Sequence, residues 1–241
     1  MNTGEVIAVE KLSYSMTAIN SWRLFFKNKR KHIKTYLAIK SVKAGKKLAQ
    51  FLKTIREELD NFFKFKADEP LLFFLDHRED LDMVWGKKTE RWFVGAFKNN
   101  SIYILNPKVY AKESSHQTEE FWKTLKHEYC HAYYTQISKS HYPIWLNEGL
   151  ASFVSGKKLT LGDNYRSKLL NVFNYFNRAD KDAYAVGQFW VEYLLKKYGK
   201  RKFLKLINSF DPGLDYQQFI AKFYKVYGFK FNKNSFLKIL K

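Results

Sequence analysis

The chain has 241 residues, 46% of them apolar, enough to bury a substantial core without covalent staples. A single cysteine, Cys130, excludes an intramolecular disulfide framework, and 43 Lys plus Arg against 23 Asp plus Glu leave a formal charge of +20. The longest apolar runs are short and broken by charge, at Arg23 within "SWRLFFK" and at Asp76 after "LLFFL", which excludes a transmembrane span.

The start, "MNTGEVIAVEKLSYSM", carries Glu5 and Glu10 where a secretion signal needs a basic opening and an unbroken apolar core, so a cytoplasmic location is expected. From about Ser21 to Lys66 the sequence reads as helical and basic, with Leu48, Phe51, Leu52, Ile55, Leu59, Phe62 and Phe63 recurring at three- and four-residue steps as a packing face. Basic residues are densest in "KNKRKHIK" (Lys27 to Lys34) and "KSVKAGKK" (Lys40 to Lys47). Such a footprint can attract nucleic acid or an anionic surface, although lysines spread along nearly every helix give the same total. Residues 1–66 are accordingly set apart as a basic, mainly helical N-terminal region, with 67–241 as the main domain.

"EPLLFFLDH" (Glu69 to His77) begins with a proline and continues as an apolar run of strand length. "ERWFVGAFKNNSIYILNP" (Glu90 to Pro107) gives two β-rich runs around Asn99-Asn100, a hairpin pattern. Beyond Pro107 helices are expected at about Thr118 to Ile137, Trp145 to Ser155, Tyr165 to Asn177, Ala183 to Tyr198, Lys200 to Ser209 and Gln217 to Tyr227, punctuated by Gly156, Gly162, Gly199, Gly213 and Gly228. "FNKNSFLKIL" closes the chain as a short amphipathic helix. A small sheet followed by helices predicts an α+β fold.

Within the first of these helices "LKHEYCHAYY" (Leu125 to Tyr134) places His127 and His131 four residues apart, on one helix face, where both can offer a ring nitrogen to one cation. Thr118 is a candidate cap, and neither Pro nor Gly interrupts the helix. The H-E-x-x-H pattern belongs to zinc hydrolases, in which two imidazoles hold the metal and the intervening glutamate, here Glu128, handles the proton of the attacking water. A catalytic zinc site takes three protein ligands and an open position. His141 is one candidate for the third, and Glu148 in "PIWLNEGLASF" (Pro143 to Phe153), on a second helix after a short loop, is the better one.

With "HEYCH" and "WLNEGLASF" in that order, the chain resembles the gluzincin zinc metallopeptidases, specifically the peptidase MA-like group related to the aminopeptidase branch. The resemblance runs from about Trp92 to Asn208 and implies a mostly helical, thermolysin-like domain against a small sheet with an edge strand. It implies that His127, His131 and Glu148 bind Zn²⁺ and that Glu128 is the general base. Sixteen residues separate His131 from Glu148, slightly fewer than in the large aminopeptidases, so a trimmed connection is expected. "DAYAVGQFWVEYLLKKYG" (Asp182 to Gly199) is similar to the family's Tyr-x-x-Gly segment, which implies that Tyr184 stabilises the oxyanion, with Gly187 nearby.

The family also pairs extended substrate with an exposed strand, and "NSIYIL" (Asn100 to Leu105) is expected to be that strand. Where the aminopeptidases carry Gly-x-Met-Glu-Asn, whose glutamate captures a free amine, this chain has "VGAFKNN", so an exopeptidase preference is not implied. Asn147, before Glu148, is expected to shape the cleft, and Cys130 to pack in the core. The expected partner is a peptide or protein substrate. Two other readings stand beside this one: a SprT-like protease that uses the basic N-terminal region for DNA and His141 as third ligand, and a basic binding protein with a non-catalytic zinc site.

Overall fold

The computed structural model describes the backbone of Trp22–Asn28, Lys31–Leu37 and residues 42–240, with side chains from residue 46 onward. Two strands come first, β1 (Trp22–Asn28) and β2 (Lys31–Leu37), paired antiparallel with Trp22 opposite Leu37 and Asn28 opposite Lys31. Helix was expected from Ser21, and this stretch corrects it. Phe25, Phe26, Ile33, Thr35 and Tyr36 are aromatic or β-branched, a composition that favours strands, and the three- and four-residue periodicity that suggested helix begins only at Leu48.

Helix α1 (Val42–Phe63) follows, and its expected packing stripe is present, with Leu48, Ile55, Leu59 and Phe63 buried. The chain then forms two compact units, one containing residues up to Glu58 together with Glu69–Leu125, the other Leu59–Asp68 together with residues from Lys126 onward.

In the first unit β3 (Leu71–Leu75), β4 (Gly95–Lys98) and β5 (Ser101–Leu105) form a mixed sheet of order β3-β5-β4. Asn99 and Asn100, with φ of 51° and 55°, make the tight connection of the β4–β5 hairpin, since asparagine tolerates the left-handed region that a two-residue hairpin turn needs. β5 is the central strand: Leu71 pairs with Ser101 in parallel on one side, and Lys98 with Ser101 antiparallel on the other. "NSIYIL" therefore is not an edge strand. Both rims of its backbone are already hydrogen-bonded, and Ile102, Ile104 and Leu105 are fully buried, as befits the middle of a sheet. The outer strands are β3 and β4.

Two short helices in this unit, α2 (Arg78–Trp85) and α3 (Tyr110–Glu113), were not anticipated from the sequence. The Arg78 guanidinium holds the loops around them by donating to the carbonyls of Glu113 (2.7 Å), Glu90 (2.8 Å) and Phe93 (3.2 Å).

The second unit is helical. It holds α4 (Phe121–Ser138) from Lys126 onward, α5 (Ile144–Ser155), α6 (Tyr165–Leu169), α7 (Lys181–Asn208), α8 (Tyr216–Tyr227) and α9 (Lys233–Ile239). Its core is aromatic: Trp145 stacks on Phe231 at 5.7 Å, Trp190 meets Phe236 at 4.3 Å, and Phe219 and Phe223 are fully buried.

The helix expected over Tyr165 to Asn177 is corrected. The α-helical part stops at Leu169 and tightens into a 3₁₀ turn over Leu170–Asn174, where the Leu169 carbonyl accepts from the Trp190 indole at 2.9 Å. α7 breaks at Gly199 (φ 80°, ψ 156°), which divides it where the sequence reads as two helices. Among the described residues no helix is long and apolar enough to cross a membrane.

Candidate metal centre

The centre lies within the second unit and is assembled from three of its helices. A reciprocal Gln117–Glu120 capping box opens a 3₁₀ turn ahead of α4, so Gln117 rather than Thr118 is the cap. Through α4 the side chains of His127 and His131 fall one turn apart, with ring centroids at 4.7 Å and planes nearly perpendicular.

α5 is fixed at its start. Its first two amides, Ile144 and Trp145, donate to the carbonyls of Phe176 (2.8 Å) and Tyr175 (3.0 Å), and the fully buried Trp145 anchors it against Phe231. One turn later Glu148 meets the histidines: its Oε2 lies 3.1 Å from His127 Nε2 and 3.5 Å from His131 Nε2. One ligand atom from each of the three residues falls within 4.8 Å of the other two.

The third helix closes the centre from the side. Asp180 caps α7 by accepting from the amides of Asp182 and Ala183, which places Tyr184 in the first turn. The Tyr184 ring lies 6.2 Å from that of His127, at 27°. Close approach of α7 to α5 depends on two glycines: a Cβ on Gly149 would stand 2.2 Å from the backbone of Gly187, and a Cβ on Gly187 would stand 2.2 Å from the Trp145 carbonyl oxygen. No other residue fits at either position without moving a helix.

Charge is distributed unevenly across the two imidazoles. Burial, with a further contribution from the Lys157 ammonium, pushes His127 down to about 3 and keeps it neutral. Burial acts in the same direction on His131, but the charge of Glu148 and its hydrogen bond outweigh it and raise this imidazole to about 9. Glu148 is held well below the usual carboxylate range, because the two imidazoles more than offset the burial that would raise it. Burial and the charges of Glu148 and Glu128 push the Tyr184 phenol well above its ordinary value, so it remains a hydrogen-bond donor. Glu128 is itself buried, at 5% exposure, directly after His127.

His131 donates from Nδ1 to Asn147 Oδ1 at 2.7 Å, and the Asn147 amide donates in turn to the His141 carbonyl at 3.4 Å. This chain of bonds aims the Nε2 of His131 at Glu148. Two imidazoles and one carboxylate converging in a largely buried place fit a divalent cation.

His127, His131 and Glu148, singled out in the sequence, thus come together, with Glu128 and Tyr184 beside them. His141 does not join them: it is exposed in the connection after α4, and among the described residues the one cluster able to hold a metal omits it. Cys130 is fully buried, as expected. Lys157 escaped the reading of the sequence, because only the turn at Gly156 (φ 70°) beyond α5 brings its charge to bear on His127. Comparison with known proteins adds no relative: no family model, no curated protein and no solved structure matches the chain.

Proposed function

We propose that the protein is a zinc-dependent peptidase. The observation that carries the reading is the convergence of His127 Nε2, His131 Nε2 and Glu148 Oε2, with the carboxylate of Glu128 next to it in a buried setting. Bound there, zinc would supply Lewis acidity to a water and to the scissile carbonyl.

The chain's own groups divide the remaining work. Glu128 takes a proton from the attacking water and returns it to the leaving amine, the general acid–base role that its place beside His127 suits. Tyr184, kept neutral by burial and by the negative charges around it, donates a hydrogen bond to the oxygen on which charge develops. Asn147 keeps His131 in one orientation and so preserves the ligand geometry.

Retention of Glu128 favours an enzyme over a purely structural metal site, since ligands alone hold a structural ion. The test uses the purified full-length chain, with zinc content measured by mass spectrometry and cleavage of an unfolded protein followed with and without a chelator. Glu128→Gln keeps the size of the side chain and removes the base. It should retain zinc and lose about 10²–10⁴-fold in rate. A parent chain that cleaves nothing when zinc-loaded, or a variant as fast as the parent, would sink the proposal.

A further inference from the structure

Among the buried polar atoms of the second unit that have no hydrogen-bond partner are His127 Nδ1, Ser152 Oγ and Gln188 Oε1. Ser152 lies four residues after Glu148 on α5, and Gln188 lies four residues after Tyr184 on α7. Each therefore stands one turn beyond a residue that meets the His127 ring, on nearly the same helix face. The backbone contact between Gly149 and Gly187 brings these two faces together at that level. The Gln188 amide nitrogen is committed, donating to the Lys157 carbonyl at 2.7 Å and to Glu192 Oε1 at 3.1 Å, while the oxygen of the same amide is buried without a partner.

A demand for such acceptors exists at His127. If Nε2 is to offer its lone pair to a cation, the single proton of the neutral ring must sit on Nδ1, and a buried N–H needs an acceptor. His131 has one in Asn147; His127 has no counterpart by direct contact among the described residues. A buried water makes about three hydrogen bonds, enough to serve His127 Nδ1, Ser152 Oγ and Gln188 Oε1 together.

We infer that Ser152 and Gln188 are positioning residues for the metal ligand His127, holding its Nδ1–H through one shared buried water. In this arrangement His127 Nδ1–H and the Ser152 hydroxyl donate to the two lone pairs of the water oxygen, and the water donates to Gln188 Oε1. Because the water, Ser152 and Gln188 are all neutral, His127 would be a weaker electron donor to the metal than an imidazole backed by a carboxylate. That leaves the cation more electron-poor and holds it less tightly.

The inference rests on the zinc reading, and its test separates the two. Zinc affinity of the full-length parent, Ser152→Ala, Ser152→Thr and Gln188→Met is measured by competition with a chelating dye, with circular dichroism confirming that each folds. Nitrogen-15 spectra of the histidine rings report the His127 tautomer independently of activity. Ser152→Ala and Gln188→Met should each weaken zinc binding by about 10–100-fold, while Ser152→Thr restores the hydroxyl and stays close to the parent. The double variant should lose less than the product of the two single losses, because both act through one water. Folded single variants that bind zinc within about threefold of the parent, with the His127 tautomer unchanged, would overturn the inference and leave the zinc reading intact. A parent that binds no zinc would overturn the zinc reading itself.

Discussion

His127 and His131 are the same residue type one helical turn apart, yet their surroundings drive them to opposite protonation. His127 is held down to about 3 by burial and the nearby Lys157, and His131 is raised to about 9 because Glu148 outweighs burial. On the proposed zinc reading, binding has to displace one proton, that of His131, at any pH between those values, since Glu148 is already ionised and His127 already neutral. The sign follows: a proton competes with the metal, so affinity should rise about tenfold per pH unit and level off near the His131 value of about 9. Calorimetry from about pH 6 to about pH 8, in buffers of different ionisation enthalpy, should find one proton released per zinc. Release of two protons would mean that His127 is charged before binding, and release of none that His131 is not. The i, i+4 spacing made the pair legible in the sequence because it is local geometry, while the division of charge was hidden because Glu148 and Lys157 arrive from another helix and the turn after it.

At the scale of elements, the contact between α5 and α7 does more to place the site than either helix does alone. Gly149 follows Glu148 directly, and Gly187 lies one turn after Tyr184, so this close backbone approach lies beside both the proposed metal ligand and the proposed oxyanion donor. Gly187→Ala would put a methyl 2.2 Å from the Trp145 carbonyl oxygen, a backbone atom with no room to swing aside. The variant should lose about 1–3 kcal/mol of stability, as overpacked cores do, and because α7 would be pushed outward it should lose activity at temperatures where it is still folded. Urea denaturation with a parallel rate assay checks both, and a variant as stable and active as the parent would mean that the helices separate at no cost. In the sequence Gly187 was noticed only through the resemblance of "AYAVG" to a family segment; its physical reason, a partner glycine 38 positions earlier, shows only in the fold. The β1–β2 hairpin was hidden for a related reason. Basic residues interrupt its apolar ones, so the two-residue alternation was masked, and pairing between strands is not a local property. Centrality of β5 likewise depends on β3, which precedes it by a whole helix and a strand.

For the whole molecule, a net charge of +20 and a largely buried, three-residue candidate cation site oppose each other, because the general field would repel the ion that the local carboxylates would attract. Short-range terms decide the outcome: the site brings together Glu148, whose side chain is 18% exposed, and the buried Glu128, where screening by solvent is weakened. The ligands come from α4 and α5, so the site exists only when those helices are folded, and a ligand that binds only the folded state stabilises it by mass action. At free zinc about a hundredfold above the dissociation constant the gain is about 2.7 kcal/mol. For a chain of this size that corresponds to a rise of roughly 5–10 °C in the midpoint of the unit that carries the site. Scanning calorimetry of the full-length chain with zinc and with a chelator measures the shift. Glu148→Ala removes the one charged ligand and should abolish it, whereas His141→Ala, at a residue outside the cluster, should leave it unchanged. The opposite pattern, a shift that survives in Glu148→Ala and vanishes in His141→Ala, would transfer the third ligand to His141 and with it the protein to the SprT-like reading.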